Sequence, residues 1–242
     1  MIDVDSNRSI LWRGWHVLIV HRYSSAWFEQ YYRASLPISI FLFLAAVTAN
    51  TFAGIYATEH ASNSVTDVIL SNIPVFDIDL WFVYGSIAFI VVVCTLLAMH
   101  PHRIPFVLCA LALFYIIRAV FISLTHIGPY PEHAILNFES KIILLLWGGG
   151  DQFFSGHTGA PFMLALVYWA DKKWRVFFLA ASIFFATIVL LGHLHYTIDV
   201  LSAFFITYAI YQIAVTIFPR EHELFRNSYE LRAHTPAAED SI

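Results

Sequence analysis

Ser155-Gly156-His157 precedes His195 by 38 residues, and Asp199 follows His195 at i+4. At helical spacing, i and i+4 share one face, so the carboxylate can bond one nitrogen of the ring and fix its tautomer. The other nitrogen is then left as a nucleophile. A second imidazole, His157, can carry a proton to a leaving group. His157 stands after Ser155 and Gly156 at an expected helix start, where free backbone N–H groups and the helix dipole favour an anion. Gly148-Gly149-Gly150 either bends into an anion-binding nest or serves a turn or helix packing. Arg118 either clamps a phosphate through two N–H bonds or pairs with Glu132 or Glu139. Together these groups suit phosphoryl transfer through a covalent imidazole intermediate. No carboxylate cluster or Cys/His spacing calls for a metal, and the nucleophile needs no cofactor.

These groups sit in a chain of 242 residues that is 59% hydrophobic, 17% aromatic and only 12% charged, with a mean hydropathy of +0.69. A soluble domain carries about 25% charged residues, so the composition indicates a polytopic membrane protein. Ionisable groups in such a chain mark a functional site by default. About 20 apolar residues cross a bilayer core, and six stretches qualify or nearly do. They are residues 34–58, 80–99, about 104–127, 158–170 (lengthened back through Phe153 and Phe154), 174–192 and about 196–218. Of 13 Lys and Arg residues, 11 fall on one side of this topology; Lys141 lies opposite and Arg118 within a span. The positive-inside rule therefore places both termini in the cytoplasm and the His157 and His195 segments at the outer face. The expected fold is all-α: a six-helix transmembrane bundle over 34–220. A tryptophan- and arginine-rich N-terminal helix within 1–33 either lies on the inner leaflet or packs on the bundle's cytoplasmic end. A cytoplasmic tail occupies 221–242, polar and unstructured after Tyr229. No cleavable leader is expected before Arg13, and Cys94 and Cys109 read as buried thiols.

Ser-Gly-His followed by His-x-x-x-Asp resembles the type-2 phosphatidic acid phosphatase superfamily. More closely, Gly150-Asp151-Gln152-Phe153-Phe154-Ser155-Gly156-His157-Thr158 and His193-Leu194-His195-Tyr196-Thr197-Ile198-Asp199 resemble the two signature motifs of sphingomyelin synthases. Arg118 through Pro131, with Thr125, Pro129 and Pro131, resembles an earlier motif of that family. The resemblance implies six membrane helices with a His-His-Asp triad on the exoplasmic face. It makes His195 the nucleophile oriented by Asp199. His157 becomes the acid that releases a diacylglycerol alkoxide and the base for an incoming ceramide-type hydroxyl. Asp151 matches an acidic motif position and joins Arg118, Ser155 and Gly156 as substrate-binding residues. Two departures separate the chain from the plain phosphatases. No Arg-Pro pair occurs anywhere, and Val189 stands where their third motif has Arg.

The expected activity is a membrane lipid phosphotransferase that moves a phospho-head group from a glycerophospholipid to a lipid alcohol of ceramide or diacylglycerol type. The alternative is a lipid phosphate phosphatase with water as acceptor. A proton-relay transporter using the same cluster is a third reading, against which the chain shows no internal repeat. The implied partners are phospholipid and lipid-alcohol substrates and the bilayer, with no nucleic acid. Head group, acceptor and oligomeric state are left open.

Overall fold

Proline, aspartate and hydroxyl side chains set the helix ends. A computed structural model describes residues 23–24, 26–134 and 152–233. Seven α-helices have both ends among these residues: α1 (Gln30–Glu59), α2 (Asp79–Met99), α3 (Ile104–Leu124), α4 (Gly156–Val167), α5 (Lys172–Leu191), α6 (Thr197–Ile217) and α7 (Pro219–Ala233). The Asp171 side chain accepts from the N–H groups of Lys173 and Trp174 at 3.2 and 3.4 Å and so starts α5. Pro219 disfavours helical geometry at Phe218 and ends α6, then serves as the first residue of α7. No strand occurs among the described residues.

Five helical stretches, α1, α2, Pro101 through α3, α5 and α6, are long and apolar enough to cross a membrane. They correspond to five of the six expected spans. The fourth, expected over 158–170 with a backward extension through Phe153, is instead the 12-residue α4. At 1.5 Å per residue it spans about 18 Å, short of a bilayer core of about 30 Å. Ser155 caps it from an extended backbone, so Phe153 and Phe154 lie outside the helix. A second difference concerns the expected tail. Helix α7 continues past Tyr229 to Ala233, and Glu221 accepts hydrogen bonds from Tyr31 at 2.6 Å and Ser35 at 3.0 Å, tying α7 to α1. Cys109 is buried as expected, whereas Cys94 faces outward. Most of the expected N-terminal helix lies outside the described residues.

Helix α4 is the buried centre, packed by α3, α5 and α6, while α1 runs along α3 and α2 along α5. Phe106 and Phe114 of α3, Phe154 before α4, Met163 and Leu164 of α4, Phe178 of α5 and Ile210 of α6 share one core. Outward surfaces are equally apolar: Phe41, Phe52, Trp81, Val91 and Phe205 are exposed. Between lipid-facing helices close packing and hydrogen bonds, rather than expulsion of water, drive association. Thus Gly159 lets α4 approach α3 and α6; a Cβ there would lie 2.7 Å from the Phe114 ring and 2.9 Å from Thr207 Oγ1. Ser182 of α5 donates to the Thr158 carbonyl at 2.8 Å. Elsewhere hydroxyls such as Thr48, Thr95 and Thr187 bond back to the carbonyl four residues earlier in their own helix.

The short connections between α2 and α3, α4 and α5, and α5 and α6 make successive helices antiparallel. One end of the bundle, here the upper end, therefore collects residues 60–78, 125–134, 152–155 and 192–196. Two of these loops are bound together. Ser62 N–H donates to the His126 carbonyl at 2.8 Å, and Gly128 N–H to the Asn63 carbonyl at 3.2 Å. A Cβ on Gly128 would come 2.3 Å from the Ser62 oxygen, so no other residue fits. Tyr196 bridges both loops: its hydroxyl donates to the Gly128 carbonyl at 2.8 Å and accepts from Val65 N–H at 3.2 Å. Asp67 grips the start of α6, accepting from Thr197 N–H at 2.7 Å and Thr197 Oγ1 at 2.8 Å. It also accepts from Ile69 and Leu70 N–H at 2.8 and 3.0 Å.

Burial pushes the Asp67 carboxyl up, but these four bonds outweigh it and hold its pKa below the ordinary value. The resulting stability is complete above the unfolded-state value of about 3.9 and is lost as pH falls through the lower folded value. Thermal midpoints of wild type and Asp67→Asn in detergent are therefore expected to differ at neutral pH and to converge from about pH 4 downward. A difference that stays constant through the acid range contradicts this assignment.

Candidate active site

The first turn of α6 builds the site. Tyr196 is its N-cap, and the Asp199 side chain reaches back to accept Tyr196 N–H at 2.9 Å, one half of a capping box. That bond holds Asp199 fully buried, with Oδ2 3.6 Å from His195 Nδ1. The separation exceeds a hydrogen bond. The Nδ1 atom instead lies 2.9 Å from the Gln152 backbone carbonyl. This corrects the expectation that the carboxylate itself fixes the ring. A carbonyl oxygen only accepts, so Nδ1 carries a proton, and in the neutral ring the lone pair then sits on Nε2. His195 retains 7% of its surface, and Nε2 has no hydrogen-bond partner among the described residues. Asp199 contributes a negative charge beside the ring, and its Oδ1 is buried without a partner among the described residues.

The segment 152–155 is joined to this turn twice. Besides the Gln152 contact, Ser155 N–H donates to the Asp199 carbonyl at 3.2 Å. Ser155 is fully buried and its hydroxyl caps α4, accepting from Thr158 N–H at 3.4 Å and lying 3.2 Å from Thr158 Oγ1. His157 follows in the first turn of α4. Its ring packs on Phe82 of α2, with centroids 4.4 Å apart, and on Phe185 of α5 at 6.1 Å. Phe82 shares a cluster with Val189 and Val200, so His157 and the His195–Asp199 turn belong to one end of the bundle.

Arg118 reaches the same place from α3. It is 4% exposed; its Nε donates to the Phe154 carbonyl at 2.8 Å and its Nη1 to Asn50 Oδ1 at 3.2 Å. A Cβ on Gly156 would lie 3.1 Å from Arg118 Nε and 3.3 Å from Cζ. The guanidinium thus lies against the N-terminus of α4, and Gly156 leaves it room. It thus bonds Phe154 and Asn50, not the alternative Glu132. Asp151, Glu139, Lys141 and Gly148 to Gly150 lie outside the described residues.

Sequence reasoning missed several contributors. Gln152 and Phe154 act through backbone carbonyls, which side-chain identity does not reveal. Asn50 was detectable as an amide inside an otherwise apolar span. His193, in the second signature motif, bonds through Nδ1 to the Glu132 carbonyl at 2.8 Å. It adopts a left-handed backbone with φ 53° that turns the chain between α5 and α6.

Residues 148–216 match the family described as PAP2 superfamily C-terminal. The match supports membership of the PAP2 superfamily. Its members are phosphatases and phosphotransferases, and the matched segment runs from just before the α4 cap through nearly all of α6. No curated protein and no solved structure matches the chain.

Gly156→Val adds bulk where a single carbon already meets Arg118. We expect it to displace the guanidinium from Phe154 and to destabilise the fold by about 1–3 kcal/mol, the usual range for overpacking. Thermal unfolding in detergent measures this. An unchanged midpoint contradicts the close approach.

Proposed function

We propose that the chain is an integral-membrane lipid phosphotransferase whose nucleophile is His195 Nε2. The observation that carries this reading is the Nδ1 contact to the Gln152 carbonyl, which makes Nδ1 the donor and leaves Nε2 as the nitrogen available for attack. In the first step Nε2 attacks the phosphorus of a glycerophospholipid and a P–N bond forms. The P–O bond to diacylglycerol breaks, and protonated His157 gives its proton to the departing alkoxide. In the second step neutral His157 takes the proton of a ceramide- or diacylglycerol-type hydroxyl. The new P–O bond forms, the P–N bond breaks, and both rings return to their starting states. The buried Asp199 carboxylate offsets the positive charge the phosphorylated ring acquires. Arg118 and the N-terminus of α4 at Ser155 and Gly156 stabilise the phosphoryl oxygens. Asp151 belongs to the substrate site on the motif resemblance alone.

The basic residues near the opposite end, Arg33, Arg103, Lys172, Lys173, Arg175 and Arg220, support a cytoplasmic lower end. An exoplasmic site with both termini inside follows from that orientation. The PAP2 match equally favours the phosphatase alternative, in which water replaces the lipid alcohol in the second step.

Purified protein in liposomes, supplied with head-group-labelled glycerophospholipids with and without ceramide or diacylglycerol, separates the two. Transfer predicts labelled lipid product that depends on the added alcohol. Release of water-soluble phosphoester regardless of acceptor selects the phosphatase. His195→Ala is expected to abolish either reaction, and His157→Ala to slow it by about 10²–10⁴-fold, the range for lost acid–base catalysis. Full turnover by a folded His195→Ala protein refutes both.

A further inference from the structure

Asp67 lies in the loop between α1 and α2, 128 residues before His195, and carries no part of either signature motif. We propose that it is a positioning residue for the phosphoryl-transfer site, acting through Thr197 to keep Asp199 beside His195. The inference rests on the functional reading above and deepens it.

The first N–H groups of any helix lack partners within it. At α6 two carboxylates divide this task. Asp199 Oδ2 takes Tyr196 N–H at 2.9 Å, and Asp67 Oδ2 takes Thr197 N–H at 2.7 Å. Asp67 Oδ1 meanwhile accepts from Thr197 Oγ1 and from Ile69 and Leu70 N–H. Asp67 is itself only 9% exposed, and its two bonds to Thr197 are part-buried. A surface carboxylate would cap a helix weakly; this one is held by its own 3-10 turn, Leu70–Asn72, and cannot drift.

The division of labour matters for chemistry. Asp199 stands three residues into the same turn and is the other acceptor at the helix start. Without Asp67, Thr197 N–H is a part-buried donor that has lost its partner. The nearest remedy is for the Asp199 side chain to turn toward Thr197. Any such turn lengthens the 3.6 Å separation between Oδ2 and His195 Nδ1. It also strains the Ser155 N–H bond to the Asp199 carbonyl, which seats α4 and His157. Asp67 thereby reserves Asp199 for His195. Nothing about Asp67 requires it to touch the lipid, so substrate affinity is not its target.

The test compares kcat and KM of wild type, Asp67→Asn, Thr197→Val and Thr197→Ser in liposomes, each normalised to folded protein by size exclusion. Asparagine opposes an N–H donor to at least one of the four donors that Asp67 accepts. We expect kcat of Asp67→Asn to fall on the order of 10²-fold, as for a misplacement of about 1 Å, with KM within twofold of wild type. Thr197→Val loses only the hydroxyl bond and falls less; Thr197→Ser keeps it and restores kcat. The double variant Asp67→Asn/Thr197→Val is expected to be no slower than Asp67→Asn alone, because both cut one linkage. If Asp67→Asn does not fold, the Thr197 pair decides. Wild-type kcat in folded Asp67→Asn, or equal kcat for the Thr197 valine and serine variants, overturns the proposal. So does a loss that appears equally in folded fraction but not per folded molecule. Turnover that His195→Ala abolishes but Asp67→Asn spares sinks this inference alone. Turnover indifferent to His195 sinks the parent reading with it.

Discussion

Residues 152–155 form no helix and lie inside a bundle of apolar helices, where buried carbonyl and N–H groups need partners. A peptide group left unpaired away from water costs as much as a lost hydrogen bond or more. Three of these groups find partners across the bundle: His195 for the Gln152 carbonyl, Arg118 for the Phe154 carbonyl and the Asp199 carbonyl for Ser155 N–H. The rest of the upper end follows from this constraint. The side chains that chemistry requires are the same ones that make a break before α4 tolerable in the bundle, so fold and site stabilise each other.

The short α4 is a consequence. A helix crossing the whole bilayer satisfies its own backbone but cannot present its N-terminus inside the bundle. Starting at Gly156, α4 brings its N-terminus, with Gly156 and His157, to the level of Arg118 and the first turn of α6. The interlocked loops around Ser62, Gly128 and Tyr196 close the upper end over that turn. At the opposite end Arg103 is buried against Tyr168 and Phe225 and bonds Ser228. A separate polar contact set thus fastens α7 and the α4–α5 turn to α3.

Much of this was legible in the residues. Long uncharged runs located five spans to within a few residues, because hydropathy and helix length are both properties of consecutive sequence. The i, i+4 spacing of His195 and Asp199 did bring the two within 3.6 Å, but not on one helix face, because His195 precedes the Tyr196 N-cap and only Asp199 lies in the first turn of α6. Where reading failed, the cause was tertiary. Phe153 and Phe154 are apolar enough to extend a helix, yet Ser155 caps α4 after them. The tautomer of His195 is set by a carbonyl 43 residues away, and no residue type announces that. Asp67 is one of several acids between the first two spans, with Glu59, Asp77 and Asp79, and only the folded chain shows it capping α6.

The central claim is that His195, oriented at Nδ1 by Gln152, attacks phosphorus through Nε2 at a site shared with His157 and Arg118. An experimental structure of the protein with orthovanadate, a mimic of five-coordinate phosphorus, tests this most directly. The account predicts vanadium bonded to His195 Nε2, with Nδ1 still on the Gln152 carbonyl and His157 against a vanadate oxygen. Vanadate held elsewhere, or rings of residues 157 and 195 too far apart to touch one anion, contradicts it.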